Sequence, residues 1–276
     1  MAVPFMYPTI TSCLGGYDYY SSIPIPKLIN ALAVKDADIL VEFNVFHDGD
    51  LKSEDERRII IQDGRLSGEA PEPFKIQDQS AVWGPEPGFV EIAFKSENDL
   101  PVFTTKDPIA FYSVFSGLGK KTFFTDNTYK FGSPPVIDQI AMLGRYIDNY
   151  PIVHIDRSRD IGESFILINP YRQPVVYQIL ASDGQASKRN RVPARSARFF
   201  RFSDFVNDHE DEWLGQVQIT ANNRLITFTV KHSLSDPTLV STHEHLDPFR
   251  TDPTHVPATQ WLRNYIGEQL RSRGWM

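Results

Sequence analysis

Residues 175–184 read Val-Val-Tyr-Gln-Ile-Leu-Ala-Ser-Asp-Gly, and this stretch decides the predicted fold. A run of β-branched and aromatic residues of strand length is followed by Asp183-Gly184, a pair typical of tight turns between antiparallel strands. Many short strands with such punctuation predict an all-β protein built as antiparallel β-sandwiches. Comparable apolar or alternating runs lie at residues 39–46, 58–62, 88–94, 102–105, 164–168, 197–202, 216–220 and 225–230.

Two of the predicted strands occur twice at one spacing. Ile39-Leu40-Val41 is matched 127 residues later by Ile166-Leu167-Ile168. The strand that begins at Gly88 is matched at the same interval by the strand that begins at Gly215. This period is too long for a solenoid repeat, so each copy is expected to be a domain. The pattern therefore predicts a tandem duplication.

A second motif, Phe-x-Thr-Asp-x-Thr, also occurs once in each half, at residues 123–128 and 249–254. Each copy precedes a segment with apolar residues at helical spacing, in residues 134–147 of the first half and from Pro257 in the second. We therefore predict two tandem duplicated antiparallel β-sandwich domains, each followed by a short helix. The predicted domains are residues 1–150 and residues 151–276.

Composition and charge exclude several classes of function. The single cysteine, Cys13, rules out an intrachain disulfide and so removes the main argument for an oxidising compartment. Residues 1–10 lack the basic start and unbroken apolar run of a signal peptide, and no run is long enough for a membrane helix. The net charge of −7 argues against general binding to nucleic acid or to an anionic membrane. We expect a soluble, cytoplasmic protein without such partners.

The segment 188–201 departs from this acidic balance, because it carries six basic residues and no acidic one. Its apolar residues alternate with the basic ones, as a half-buried strand requires. The alternation favours a pair of strands whose basic outer faces are solvated.

The second predicted domain contains a characteristic series of short stretches: residues 165–170, 176–179, 182–184, 192–196 (Val-Pro-Ala-Arg-Ser), 201–204 (Arg-Phe-Ser-Asp) and 225–232. Through them, residues 163–236 resemble the sensory rhodopsin transducer family. The resemblance implies small β-sandwich domains that often form tetramers and are proposed to bind small molecules, sugars among them. Two tandem domains per chain would reproduce four sandwiches as a homodimer, so a homo-oligomer is expected.

The expected function is binding of a small polar metabolite, a sugar or sugar acid, with no catalytic residue assigned. Trp213 and Tyr171 offer flat faces for stacking on a sugar, although Trp and Tyr more often anchor cores or interfaces. His232 ends the apolar face of its strand, either as a satisfied core or rim histidine or as a ligand contact. The other candidate ligand-binding residues are Arg195 of the Val-Pro-Ala-Arg stretch and the repeated Asp126 and Asp252, whose alternative role is an Asx-type turn.

The sequence Thr-His-Glu-His-Leu at residues 242–246 is the clearest metal-binding pattern in the chain. An extended segment places His243 and His245 on one face, a spacing that metal sites in amidohydrolase barrels use. Only 31 residues follow His245, too few for the rest of such a barrel. The alternatives are a solvated loop and a divalent metal site. The second would make the protein a metal-dependent carbohydrate hydrolase or isomerase that also uses His232.

Overall fold

A computed structural model describes residues 2–4, 8–32, 34–77, 86–98, 100, 112–117, 123–126, 128–129, 146–185, 187, 189–205, 211–221 and 225–246. The chain divides into two compact units, Met1–Phe131 and Gly132–Met276. Antiparallel strands dominate the described residues of both units, which confirms the predicted all-β class. Among the described residues, no helix has the length and apolar character needed to cross a membrane.

The first unit contains one helix among its described residues, α1 (Ile25–Leu32), which buries Ile25, Leu28 and Leu32 along one face. Buried and half-buried residues alternate along its longer inner strands, as expected when one face of a strand lies in a core. Its strands are β1 (Val3–Pro4), β2 (Thr9–Cys13), β3 (Asp18–Ser21), β4 (Ala37–His47), β5 (Asp50–Gln62), β6 (Arg65–Leu66), β7 (Phe74–Ile76), β8 (Gly88–Ser96), β9 (Tyr112–Ser116), β10 (Phe123–Asp126) and β11 (Thr128–Tyr129).

These strands form two antiparallel sheets. One has the order β11-β2-β8-β4-β5-β6, with β1 beside β8, and the other has the order β10-β9-β3-β7. Phe43 of the first sheet stacks on Phe74 of the second, with ring centroids 4.4 Å apart. Both rings are buried, so the two sheets pack face to face as in a β-sandwich.

The strands of the second unit form one eight-stranded antiparallel sheet. They are β12 (Tyr146–Asp156), β13 (Ile161–Asn169), β14 (Val175–Ala181), β15 (Asn190–Val192), β16 (Ser196–Arg201), β17 (Glu212–Ala221), β18 (Ile226–Ser233) and β19 (Val240–His245), with a 3-10 turn at Phe202–Asp204. The order is β15-β14-β17-β12-β13-β18-β19, with β16 beside β13. Side chains of β12, β13, β14, β15 and β17 share one core. Among them are Val153, Phe165, Leu167, Tyr177, Val192 and Val217.

The predicted boundary between residues 150 and 151 falls inside β12, which lies entirely within the second unit. β12 pairs with β17 on both sides of this point, from Tyr146 to Asp156. Residues 146 and 147, at the end of the first predicted helix, lie in the same strand. The rest of that helix, and the helix predicted from Pro257, lie outside the described residues.

The strands that carry the sequence repeat have different neighbours in the two units. In the first unit β4 and β8 are paired directly, from Ile39 opposite Ser96 to Phe46 opposite Phe89. In the second unit β12 lies between β13 and β17, which hold the matching residues. The tandem duplication is therefore not confirmed.

Candidate functional site

One corner of the second unit is held by a buried asparagine. Asn169, the last residue of β13, is fully buried, and its Oδ1 accepts a hydrogen bond from the Tyr171 N–H at 3.0 Å. Its Nδ2 shares its hydrogens among the carbonyl oxygens of Gln173 (2.8 Å), Val192 (3.2 Å) and Pro193 (2.8 Å). These contacts tie the turn after β13 to the turn between β15 and β16. Residues 169–173 and 192–195 are called the Asn169 corner.

Arg195, at the end of the Val-Pro-Ala-Arg stretch, has a backbone conformation that is rare for its residue type. Its φ is 50°, in the left-handed region. The other described non-glycine residues with positive φ are all aspartates, which tolerate this region much better. The Arg195 N–H donates a hydrogen bond to the Tyr171 carbonyl at 2.9 Å, which holds the residue in place. A strained residue that the surrounding structure imposes is a candidate for a functional role.

Three arginines lie in or directly beside the Asn169 corner. Arg172 and Arg191 are exposed, and Arg195 is half-buried. Arg172 and Arg191 each adjoin a residue whose carbonyl binds the Asn169 amide, so Arg172 lies within the corner and Arg191 directly beside it. Residues 164–203 contain seven lysines and arginines but one acidic residue, in a chain whose net charge is −7. The corner therefore carries a local positive potential that attracts anions.

Trp213 and Tyr171 are core residues, the alternative role that the sequence left open for them. Trp213 is 6% exposed and stacks on Phe202, with ring centroids 6.4 Å apart. Its Nε1 donates a hydrogen bond to Asp183 Oδ2 at 3.0 Å. A Cβ added at Gly215 would lie 2.8 Å from the indole ring, so the ring packs directly over the backbone. Tyr171 is 2% exposed in the same core, and neither ring presents an open face for stacking.

His232 is a buried histidine with both ring nitrogens engaged. Nδ1 lies 2.8 Å from the Ser233 carbonyl, which only accepts hydrogen bonds, so Nδ1 carries the proton. Nε2 then accepts a hydrogen bond from the Ser164 hydroxyl at 2.7 Å. A Cβ at Gly162, opposite on β13, would lie 2.7 Å from His232 Cε1, so this glycine makes room for the ring. The arrangement matches the core or rim alternative for His232.

His243 and His245 lie in strand β19, which pairs with β18, so the solvated-loop alternative is wrong. His243 is buried and stacks on Phe228, with ring centroids 4.8 Å apart, while His245 meets the same ring edge-on at 5.4 Å. Desolvation lowers the pKa of His243 to about 3, so its imidazole is neutral near pH 7. Among the described residues, neither His243 nor His245 belongs to a group of three or more His, Cys, Asp or Glu side chains that lie close enough to share a metal ion.

Of the two repeated aspartates, Asp126 lies among the described residues and Asp252 does not. Asp126 is the last residue of strand β10, and its side-chain surroundings lie outside the described residues. Asp252 lies wholly outside them. Of the predicted ligand-binding residues, Tyr171 shares a core with Trp213 and is joined to Arg195 by one backbone hydrogen bond.

Sequence reasoning missed Asn169, the residue that organises the corner. The signal was present, because Asn169-Pro170 follows an apolar strand, and a buried Asn at a strand end often bonds to nearby backbone groups. The bonds to Val192 and Pro193 could not be foreseen, since they span more than twenty residues.

Comparisons with known proteins leave the family open. No family model matches the chain. No curated protein matches it significantly. The resemblance to the sensory rhodopsin transducer family therefore stays a prediction.

Proposed function

We propose that the protein binds a small polar metabolite that carries an anionic group, a sugar acid, at the Asn169 corner. The guanidinium of Arg195 would contact the carboxylate of the ligand. The observation that carries this proposal is an arginine in a left-handed backbone conformation, at a corner held by a fully buried asparagine. The resemblance to a family of proposed sugar-binding domains supports the same class of ligand.

The hydrogen-bonding groups of the corner favour an anionic ligand over a neutral sugar. The carbonyls of residues 171, 173, 192, 193 and 194 already accept hydrogen bonds from within the protein. Of the exposed side chains, those of Arg172 and Arg191 only donate hydrogen bonds, while that of Gln173 can donate and accept. A ligand rich in acceptors satisfies such a surface, and a planar guanidinium binds a carboxylate through two parallel hydrogen bonds.

Rigidity of the corner supports a binding role. Because the four hydrogen bonds of Asn169 and the N–H of Arg195 already fix the backbone, little further ordering of the chain is needed when a ligand binds. Lower ordering cost leaves more of the contact energy as affinity. The left-handed conformation of Arg195 costs about 1–2 kcal/mol, and it is held by the hydrogen bond from the Arg195 N–H to the Tyr171 carbonyl.

The proposed function also includes a homo-oligomer. It rests on the resemblance, in which four sandwiches assemble around an axis and two chains would supply them. Light scattering coupled to gel filtration measures the mass directly. A mass near twice 31.5 kDa is expected, and a monomer at micromolar concentration contradicts this part of the proposal.

The binding test compares matched charged and neutral ligands. Glucuronate and galacturonate are titrated against glucose and galactose by thermal shift and calorimetry. Only the acids are expected to stabilise the protein, by about 2.7 kcal/mol at 100 times the dissociation constant. Equal stabilisation by the neutral sugars, or none by any ligand carrying a carboxylate, would falsify the proposal.

Arg195→Gly separates binding from folding. Glycine adopts a φ of 50° without strain, so we expect the stability to stay unchanged or to rise by up to about 1 kcal/mol. Binding of the acid should be lost, because the guanidinium is gone. Arg201→Gln, an exposed change at the end of β16, is the matched control and should leave binding within about threefold of wild type. If Arg195→Gly still binds the acid, the ligand does not bind at Arg195.

The geometry does not favour the alternative of a metal-dependent carbohydrate hydrolase or isomerase at the histidines. Both nitrogens of His232 bind groups of the protein, and His243 is buried against Phe228. A catalytic metal needs donors that face an open coordination position. His243→Ala and His245→Ala should therefore leave any metal content of the purified protein unchanged.

A further inference from the structure

Two neighbouring strands of the second unit bring together one imidazole and two carboxylates. In β12 and β17, Asp156 lies opposite Glu212, and His154 lies two residues before Asp156 on the same face. The donor atoms of the three side chains all lie within 4.8 Å of one another. His154 Nε2 is 2.9 Å from Glu212 Oε1. No motif pointed to this group, which we call the β12–β17 cluster.

The cluster is built on a rigid support. Glu163, a buried carboxylate on β13, accepts the backbone N–H of His154 at 3.0 Å and the Thr229 hydroxyl at 2.6 Å. Asp156 accepts the Ser158 hydroxyl at 2.6 Å. The backbones of His154 and Asp156 are thus fixed by strand pairing and by the core, while His154 and Glu212 keep partly exposed side chains.

The cluster already binds a cationic group. The guanidinium of Arg159 forms an ion pair with Asp156 through Nε, and its Nη2 lies 3.6 Å from Glu212 Oε1. Asp156 also accepts hydrogen bonds from the Ser158 hydroxyl and the Arg159 backbone N–H. The side chain of Arg159 is 62% exposed and can leave without disturbing the core.

The distances suit one ion shared by the three residues. Bonds of about 2.0–2.2 Å from zinc to nitrogen and oxygen place two donors of one ion about 3 to 4.3 Å apart. The 2.9 Å between His154 and Glu212 is already close to the lower value, and the widest separation, within 4.8 Å, needs a shift of less than about 1 Å. Rotation of partly exposed side chains supplies such a shift.

We propose that His154, Asp156 and Glu212 form a site for a divalent transition-metal ion of the zinc class, which displaces Arg159 when it binds. An imidazole with two carboxylates is a donor set that such ions accept. The proton on His154 Nε2 moves to Nδ1 or to solvent as the ion takes its place. The proposal of this metal site does not depend on sugar-acid binding at the Asn169 corner, and the two proposals are tested separately.

The test titrates zinc alone into the full chain, purified without a histidine tag, against a chromophoric chelator. One ion per chain is expected, weakened by about tenfold or more in His154→Ala and Glu212→Gln. Arg159→Gln removes the competing cation and should bind zinc about tenfold more tightly. Cobalt(II) in place of zinc should show a visible absorption band in wild type that His154→Ala lacks.

His245→Ala is the matched control, because it removes a partly exposed histidine of the same unit outside the cluster. Its zinc affinity should equal that of wild type. Unchanged binding in His154→Ala overturns the proposal, as does Arg159→Gln binding no more tightly than wild type. Zinc bound by neither wild type nor Arg159→Gln overturns it as well.

Discussion

Replacing Asn169 by alanine tests how strongly one buried side chain holds the Asn169 corner. The change removes the hydrogen bonds to four backbone groups from a fully buried position. Two of these bonds, to the Tyr171 N–H and the Val192 carbonyl, are themselves buried, and each group left unpaired there costs about 1–3 kcal/mol. The carbonyls of Gln173 and Pro193 are partly exposed and regain water. We expect a loss of about 3 kcal/mol in the free energy of unfolding of the second unit.

Urea unfolding followed by circular dichroism measures this loss, and a thermal scan should show a fall of about 6–12 °C in the melting temperature of the second unit. Asn190→Ala is the matched control, because Asn190 is exposed and accepts a single exposed N–H, that of Arg191, through its Oδ1. It should cost less than about 0.5 kcal/mol. Equal losses in the two variants would refute the reasoning, since burial would then not determine the cost. Sugar-acid binding should weaken in Asn169→Ala but not in Asn190→Ala.

Three further predictions concern other buried groups. Gly162→Ala places a Cβ 2.7 Å from His232 Cε1 and should cost about 1–3 kcal/mol by urea unfolding; an unchanged midpoint would show that the ring moves freely. The pKa of His243 is lowered from 6.5 to about 3, so the unfolded chain takes up a proton that the folded chain rejects, and stability is full above pH 6.5 and lost as pH falls towards 3. His243→Leu should flatten this dependence in a pH series of urea midpoints, and an equal slope in both proteins contradicts the assignment. Burial raises the pKa of Cys13, so its thiol should react with a disulfide reagent only after unfolding, and rapid reaction of the native protein counts against its burial.

Local patterns in the sequence predicted many of the strands, although β12 and β19 were not among them. Residues 175–180 lie in β14, as their run of β-branched and aromatic residues predicted. Gly184 after this strand has a φ of 88°, which a turn at Asp183-Gly184 requires. Alternation and turn residues act over a few positions, so they are readable without knowledge of the rest of the chain.

Pairing between strands could not be predicted in the same way. The repeat suggested equivalent strands, yet β4 and β8 are neighbours whereas β12 separates β13 from β17. Two apolar strands can pair with several partners of similar pattern, and the choice depends on how all of them pack. The predicted domain boundary between residues 150 and 151 falls inside β12 for the same reason, because the pairing of this strand also depends on how all the strands pack.

For the candidate sites, the sequence by itself determined the local basic character of residues 188–201, the unusual Val-Pro-Ala-Arg stretch and the His-x-His pattern at residues 243–245. Only the tertiary structure decided that Trp213 is a core residue, that His243 stacks on Phe228, and that Asn169 joins two distant turns. It alone brought Glu212 beside His154, 58 residues away. The physical reason is that burial, pKa and hydrogen bonding depend on neighbours in space, whereas the sequence specifies directly only neighbours along the chain.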